Sequence, residues 1–115
     1  MKNILLIILL FYSFTIFSKS KNIKDTTFTY HIPNAFTPNG DGVNDTFGPV
    51  VINSEQYTFI VIDRYNNIIF SSNDGSYWNG MINNKFATEG VYVWKLNIMN
   101  KSGKSYTFYG HFSLL

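Results

Sequence analysis

Three features of the 115-residue sequence predict an all-β sandwich of about seven short strands. Aromatic residues make up 18% of the chain, with 11 Phe and 8 Tyr, and together with β-branched residues they favour strands over helices. Apolar and polar residues alternate with period two in Phe28–Ile32, Tyr92–Ile98 and Tyr106–Leu114. Turn residues separate these runs, and nowhere beyond residue 20 does a sustained helical period appear.

The chain opens on Met1-Lys2-Asn3, an almost unbroken apolar run Ile4–Phe17, and the small residues of Ser18-Lys19-Ser20. This is the layout of a secretory signal, with cleavage expected after Ser20 and a cleaved segment of residues 1–20. The run is shorter than the roughly 20 apolar residues of a membrane-spanning helix, so no transmembrane anchor is expected after cleavage. With no cysteine in the chain, neither a lipoprotein anchor nor a disulfide is available. Removing Lys2 and Lys19 leaves seven basic residues against seven acidic ones, so the mature chain is neutral. Its remaining lysines are scattered, and it lacks the basic field that phosphate binding requires; nucleic acid is not an expected partner.

About 95 residues then build one small domain whose stability rests on burying Phe, Tyr, Trp and Ile. Residues 21–31 comprise a polar leader, Lys21–Asp25, and a first strand over Thr27–Ile32 with Phe28, Tyr30 and Ile32 on its buried face. A loop rich in Pro, Gly and Asn separates it from a second short strand, Val50-Val51-Ile52. Tyr57–Ile62 is apolar on both faces, as a central strand must be. Asn66-Asn67 joins it to Ile68-Ile69-Phe70 as a tight hairpin, because Asn tolerates the left-handed conformation. Turns at Asn73–Ser76 and Asn83-Asn84 flank Tyr77-Trp78-Asn79-Gly80. The strand Val91–Asn97 places Tyr92, Trp94, Leu96 and Ile98 on one face, and a turn at Lys101–Lys104 leads to a closing strand, Tyr106–Leu114.

Within this frame Ile32–Phe47, IPNAFTPNGDGVNDTF, is an over-determined loop: Pro fixes φ, Gly permits positive φ, and Asx side chains hydrogen-bond their own backbone. It resembles the motif that opens the gliding motility-associated C-terminal domain, the type B sorting domain of the type IX secretion system. Further blocks are similar to that family in the same order. They are Ile62–Phe70, Trp78-Asn79-Gly80, Thr88–Trp94 and Gly110–Leu114. Tyr65-Asn66 stands where the family usually has Trp-Gly, Asn79 where it has Asp, and Thr88-Glu89 where it has a Pro-containing approach to Gly90. The basic residue with which members commonly finish is replaced by an ending at Leu115.

The resemblance implies an immunoglobulin-like sandwich over residues 32–115 that acts as a sorting and surface-delivery module, here behind a signal peptide and without a passenger. Sec export, recognition by the type IX translocon, and a PorP/SprF-type outer-membrane partner are its expected path. The protein is expected at the cell surface or secreted. Gly110, Phe112, Leu114 and Leu115 are the expected translocon-recognition residues. A small surface adhesion or glycan-binding module is the alternative reading.

Asn39-x-Asp41-Gly42-x-x-Asp45 has the spacing of oxygen ligands in short calcium loops, with Asn39, Asp41 and Asp45 as candidate ligands. The simpler role is Asx self-satisfaction of the loop backbone. No catalytic constellation emerges, and enzyme activity is not expected: His31 and His111 fall on solvent-facing strand positions, and no nucleophile elbow or metalloprotease motif is present. Arg64, the single arginine, is expected to ion-pair with Asp63, Asp74 or Glu89. Trp78 and Trp94 are expected in the core or at its rim, with a glycan platform as the second possibility.

Overall fold

A computed structural model describes residues 27–115. The expected signal peptide and the leader Lys21–Asp25 lie outside the described residues. Nine strands follow in order: β1 Thr29–His31, β2 Ala35–Phe36, β3 Val50–Ile52, β4 Gln56–Ile62, β5 Ile68–Ser72, β6 Met81–Ile82, β7 Lys85–Phe86, β8 Gly90–Met99 and β9 Ser105–Leu114. The described chain is all-β. The strand number exceeds about seven because β2, β6 and β7 are two-residue pairings too short to leave a period in sequence. In contrast, β8 and β9 run to ten residues each, longer than anticipated.

The main sheet has the order β2-β9-β8-β4-β5. Its centre is the β8–β9 hairpin, paired without interruption from Gly90↔Leu114 to Met99↔Ser105. Strand β4 lies between β8 and β5, as its two-sided apolar sequence requires. The strict alternation of β8 buries Tyr92, Trp94, Leu96 and Ile98 on one face. Phe59 and Val61 of β4 and Phe112 and Leu114 of β9 join them there. Over this face lie the β1–β3 pair and the segments that carry Phe47 and Trp78, which complete a two-layered sandwich. Tyr30 of β1 sets its ring 4.7 Å from Phe108 and edge-on to Trp94, and Phe28 packs 5.4 Å from Tyr106.

Asparagines supply the turns. In the β6–β7 hairpin both Asn83 and Asn84 have positive φ, the requirement of a two-residue type I′ loop. The β4–β5 turn is wider than an Asn66-Asn67 pair: the Asp63 N–H donates to the Asn67 carbonyl at 2.9 Å, and only Asn66 takes positive φ. At the β8–β9 turn, the buried Asn100 side-chain oxygen accepts from the amides of Ser102 (3.1 Å) and Lys104 (2.9 Å). That side chain stands in for a missing set of backbone bonds, so the hairpin tip is held from inside.

Candidate functional site

The opening motif and the closing strand meet. Ala35 and Phe36, inside the Pro/Gly/Asn stretch, form a strand rather than loop and pair in parallel with Ser113 and Leu114. The Ser113 N–H donates to the Asn34 carbonyl at 2.9 Å, and the Leu115 N–H to the Phe36 carbonyl at 3.1 Å. The motif's two phenylalanines then enter the core. Phe36 packs 5.4 Å from Phe47, and Phe47, 0% exposed, stacks on Phe112 with centroids 3.8 Å apart. Phe47 also exchanges backbone bonds with Trp78 in both directions, at 2.8 and 2.9 Å. The motif's apolar positions anchor it, while its polar middle forms the exposed loop.

In that middle, one carboxylate organises the backbone. Asp45 Oδ1 accepts the amides of Asn39 (3.1 Å) and Gly40 (3.0 Å), and Oδ2 accepts that of Gly42 at 2.7 Å. Asp41 accepts the Val43 amide at 2.8 Å, and the Asn39 side chain accepts the Asp41 amide at 3.2 Å. The three candidate calcium ligands are therefore drawn together, with their oxygens directed at the loop's own N–H groups. This is the Asx pattern weighed against metal ligation.

The four residues assigned to translocon recognition divide sharply. Phe112 and Leu114 are core residues. Gly110 sits under Trp94, where a Cβ would come within 2.4 Å of the indole. Leu115, 62% exposed, is the one of the four that stands open. What β9 does present is its outer edge. Because the Ser113 and Leu115 amides point to β2, the odd-numbered residues of β9 direct their backbone groups away from β8. Among the described residues, no strand pairs with that edge over Ser105, Thr107, Tyr109 and His111. Their side chains lie on the sheet's outer face, where Tyr109 is 64% exposed and Lys95 approaches its ring at 5.9 Å. The sequence pointed to an exposed edge of the closing strand, Tyr106–Leu115, but not to which stretch stays open, because period two identifies faces, whereas pairing partners depend on which segments return to the sheet.

His31 and His111 are exposed, on separate strands. Both tryptophans are buried, so neither offers a platform. Arg64 makes no close ion pair among the described residues, although its charge acts on nearby Asp63; its guanidinium lies 5.9 Å over the Tyr65 ring. Asp63 instead accepts the amides of Tyr65 and Asn67, each at 2.9 Å, and these bonds, that of Asn67 foremost, hold its carboxyl below the usual range. Asp74 accepts from the Ser76 hydroxyl, the Ser76 amide at 3.0 Å and the Ser72 hydroxyl at 2.9 Å, which lower its pKa to about 2.

The geometry defines a small all-β sandwich whose closing strand is clasped by its opening motif and carries an open edge. The sequence of residues 30–114 matches the CHU_C type IX secretion signal domain. The chain belongs to that family, a secretion-signal family rather than a catalytic one. Membership implies recognition by the type IX machinery and export to the surface or the medium. No curated protein and no solved structure matches the chain.

Proposed function

We propose that this protein is a non-catalytic sorting and surface-delivery module, exported by Sec through a cleaved signal at residues 1–20 and then passed to the type IX translocon. The family match over residues 30–114 carries this reading. The open edge of β9 supports a mechanism for it. An unpaired strand edge is a template for an incoming strand, whose backbone bonds supply affinity and whose alternate side chains supply selectivity. Ser105–His111 contains neither Pro nor Lys, residues with which edges are commonly blocked. The contact surface in this reading is the outer edge of β9 with Tyr109, His111 and Leu115, while Gly110, Phe112 and Leu114 keep the strand in place. A PorP/SprF-type outer-membrane protein is the partner we assign for surface attachment.

A non-catalytic role also accords with the chemistry of the carboxylates. Asp63 and Asp74 spend their oxygens on backbone amides or hydroxyls, which lowers their pKa values and leaves them poor proton acceptors. We assign the Asn39–Asp45 loop a structural role first, with calcium binding secondary.

The test compares the full chain in wild-type and translocon-deficient cells, followed by protease accessibility at the surface. Surface exposure in the first and periplasmic retention in the second is the expected result. Deleting Phe112–Leu115 would remove two core side chains and confound export with folding. The informative variant is Thr107→Pro, which removes an outward N–H and leaves the β8 ladder its bonds. A folded Thr107→Pro protein that is exported normally would remove the β9 edge from the mechanism. Export that persists without the translocon would overturn the sorting role itself.

A further inference from the structure

Two Asn-Gly pairs occur in the sequence, Asn39-Gly40 in the opening motif and Asn79-Gly80 just before β6. In both, the asparagine side chain folds back along the chain that follows it. Asn39 Oδ1 accepts the Asp41 amide at 3.2 Å, and Asn79 Oδ1 accepts the Met81 amide at 3.0 Å. We propose that Asn39 is a self-modification site, converted through a succinimide with Gly40 to aspartate and isoaspartate, and that Asp45 slows the conversion by holding the Gly40 N–H. The reaction is a property of the loop and does not rest on the sorting role.

The chemistry requires only water. The Gly40 N–H loses its proton to solvent hydroxide, and the freed nitrogen attacks the Asn39 side-chain carbonyl carbon. The new C–N bond closes an imide ring, the Cγ–Nδ2 bond breaks, and Nδ2 takes a proton from water and leaves as ammonia. Water then opens the ring at either carbonyl, which yields aspartate or isoaspartate. Nucleophile and carbonyl belong to neighbouring residues, so no encounter is needed. The Asp41 N–H already sits on the oxygen where negative charge develops during the attack.

Access separates the two pairs. Gly40 is exposed, and a Cβ there would meet nothing within 4 Å. Gly80 is buried, a Cβ on it would stand 2.7 Å from the Pro38 ring, and its carbonyl accepts the Ala87 amide at 2.7 Å. Ring closure swings the glycine peptide plane, and both deprotonation and ring opening need solvent. The covered pair is denied both, whereas the open one has them.

Asp45 is the brake on the open pair. Its Oδ1 accepts the Gly40 N–H at 3.0 Å, and the same carboxylate holds the amides of Asn39 and Gly42 on either side. Removing the Gly40 proton would set a nitrogen anion against that carboxylate, and a neighbouring like charge disfavours such an ionisation. The clamp also resists the swing of the peptide. Reaction in turn undoes the clamp: the imide nitrogen has no hydrogen for Asp45, and hydrolysis leaves a further carboxylate beside those of Asp41 and Asp45. An aged copy therefore carries an altered motif loop.

The test incubates the full chain at neutral pH and body temperature and follows both Asn-Gly pairs by peptide mass mapping, with isoaspartate methylation as a second readout. Asn39 should convert well ahead of Asn79 in the folded protein, and the two should convert alike in urea. Asp45→Asn keeps the side-chain shape and removes its charge. It should raise the rate at Asn39 about threefold or more relative to Asn79. Reading that ratio excludes unfolding as the cause, since unfolding would expose both pairs. Conversion of Asn79 as fast as Asn39 in the folded, unaltered protein overturns the proposal whatever the variant does. A preference for Asn39 that persists in urea also overturns it, because the selectivity would then lie in local sequence rather than in the fold. A ratio that does not rise in Asp45→Asn removes the brake.

Discussion

Gly110 and Trp94 face each other across the β8–β9 hairpin, and the indole occupies the space a side chain at position 110 would need. The contact is to the ring itself: a Cβ would stand 2.4 Å from Cζ2 and 2.5 Å from Cε2. Trp94, 8% exposed, can lie flat on the sheet only because its cross-strand partner is glycine.

Gly110→Ala should therefore destabilise the domain by about 1–3 kcal/mol through overpacking, although Ala is ordinarily tolerated better than Gly in a strand. A urea midpoint that falls, with a shift in tryptophan emission, is the expected observation. An unchanged midpoint would show that the indole moves aside freely.

Truncation should cost more. Trp94→Ala and Phe47→Ala each remove a large buried ring and are expected to lose ~3–5 kcal/mol, a large fraction of a small domain's stability. Phe47→Ala is the sharper case, since it also removes the stack on Phe112 that ties the opening motif to β9. Thermal melts of the two variants measure this directly.

The loop variants should rank unequally. Asp45 accepts three amides and Asp41 one, so Asp45→Ala should cost about 1–3 kcal/mol and Asp41→Ala less. With the loop structural first, calcium should raise the melting point of the unaltered chain little. A large rise that both substitutions abolish would reverse that order. The measurement is sensitive, because a ligand at ~100 times its dissociation constant adds about 2.7 kcal/mol.

Acid should weaken the fold through Asp74 and Asp63. Hydrogen bonds from Ser76 and Ser72 lower the Asp74 pKa from 3.8 to about 2, and bonds from Asn67 and Tyr65 lower that of Asp63. A depressed folded-state pKa contributes stability that is present above the unfolded value and lost as pH falls through the folded one. Stability should thus be level above about pH 5 and decline between about pH 4 and 2. Asp74→Asn should flatten part of that decline. Urea midpoints across this range provide the check, and an identical pH profile for the variant would remove Asp74 from it.

Much of this arrangement can be read from residues alone. The alternation in Tyr92–Ile98 identified a buried face that the structure reproduces residue by residue, because a long strand has one outcome once its core side is chosen. The Asn83-Asn84 turn was equally plain, since few residues accept positive φ twice in succession. What stayed hidden depends on distant chain. The pairing of Ala35-Phe36 with the end of β9 spans almost eighty residues and involves two backbone steps, too few to leave a pattern. The alternation of β9 placed Phe112 and Leu114 on one face, yet their burial, which removes them from the expected recognition surface, and the edge of β9 that stays open followed only from the fold. Arg64 was expected in an ion pair; its charge does act on Asp63, but the Asp63 oxygens are held by the turn that positions them both.

The parallel pairing of β2 with β9 makes arrival order matter. During synthesis Asn34–Phe36 emerges long before Ser113–Leu115, and the clasp cannot close until that segment is present. In the sorting role proposed above, a receptor that reads the finished edge of β9 therefore reads a domain already folded through that strand. Copies in which β9 has not docked would display neither the edge nor the clasp, so in that role the same few hydrogen bonds that seat β9 also serve as an inspection stamp.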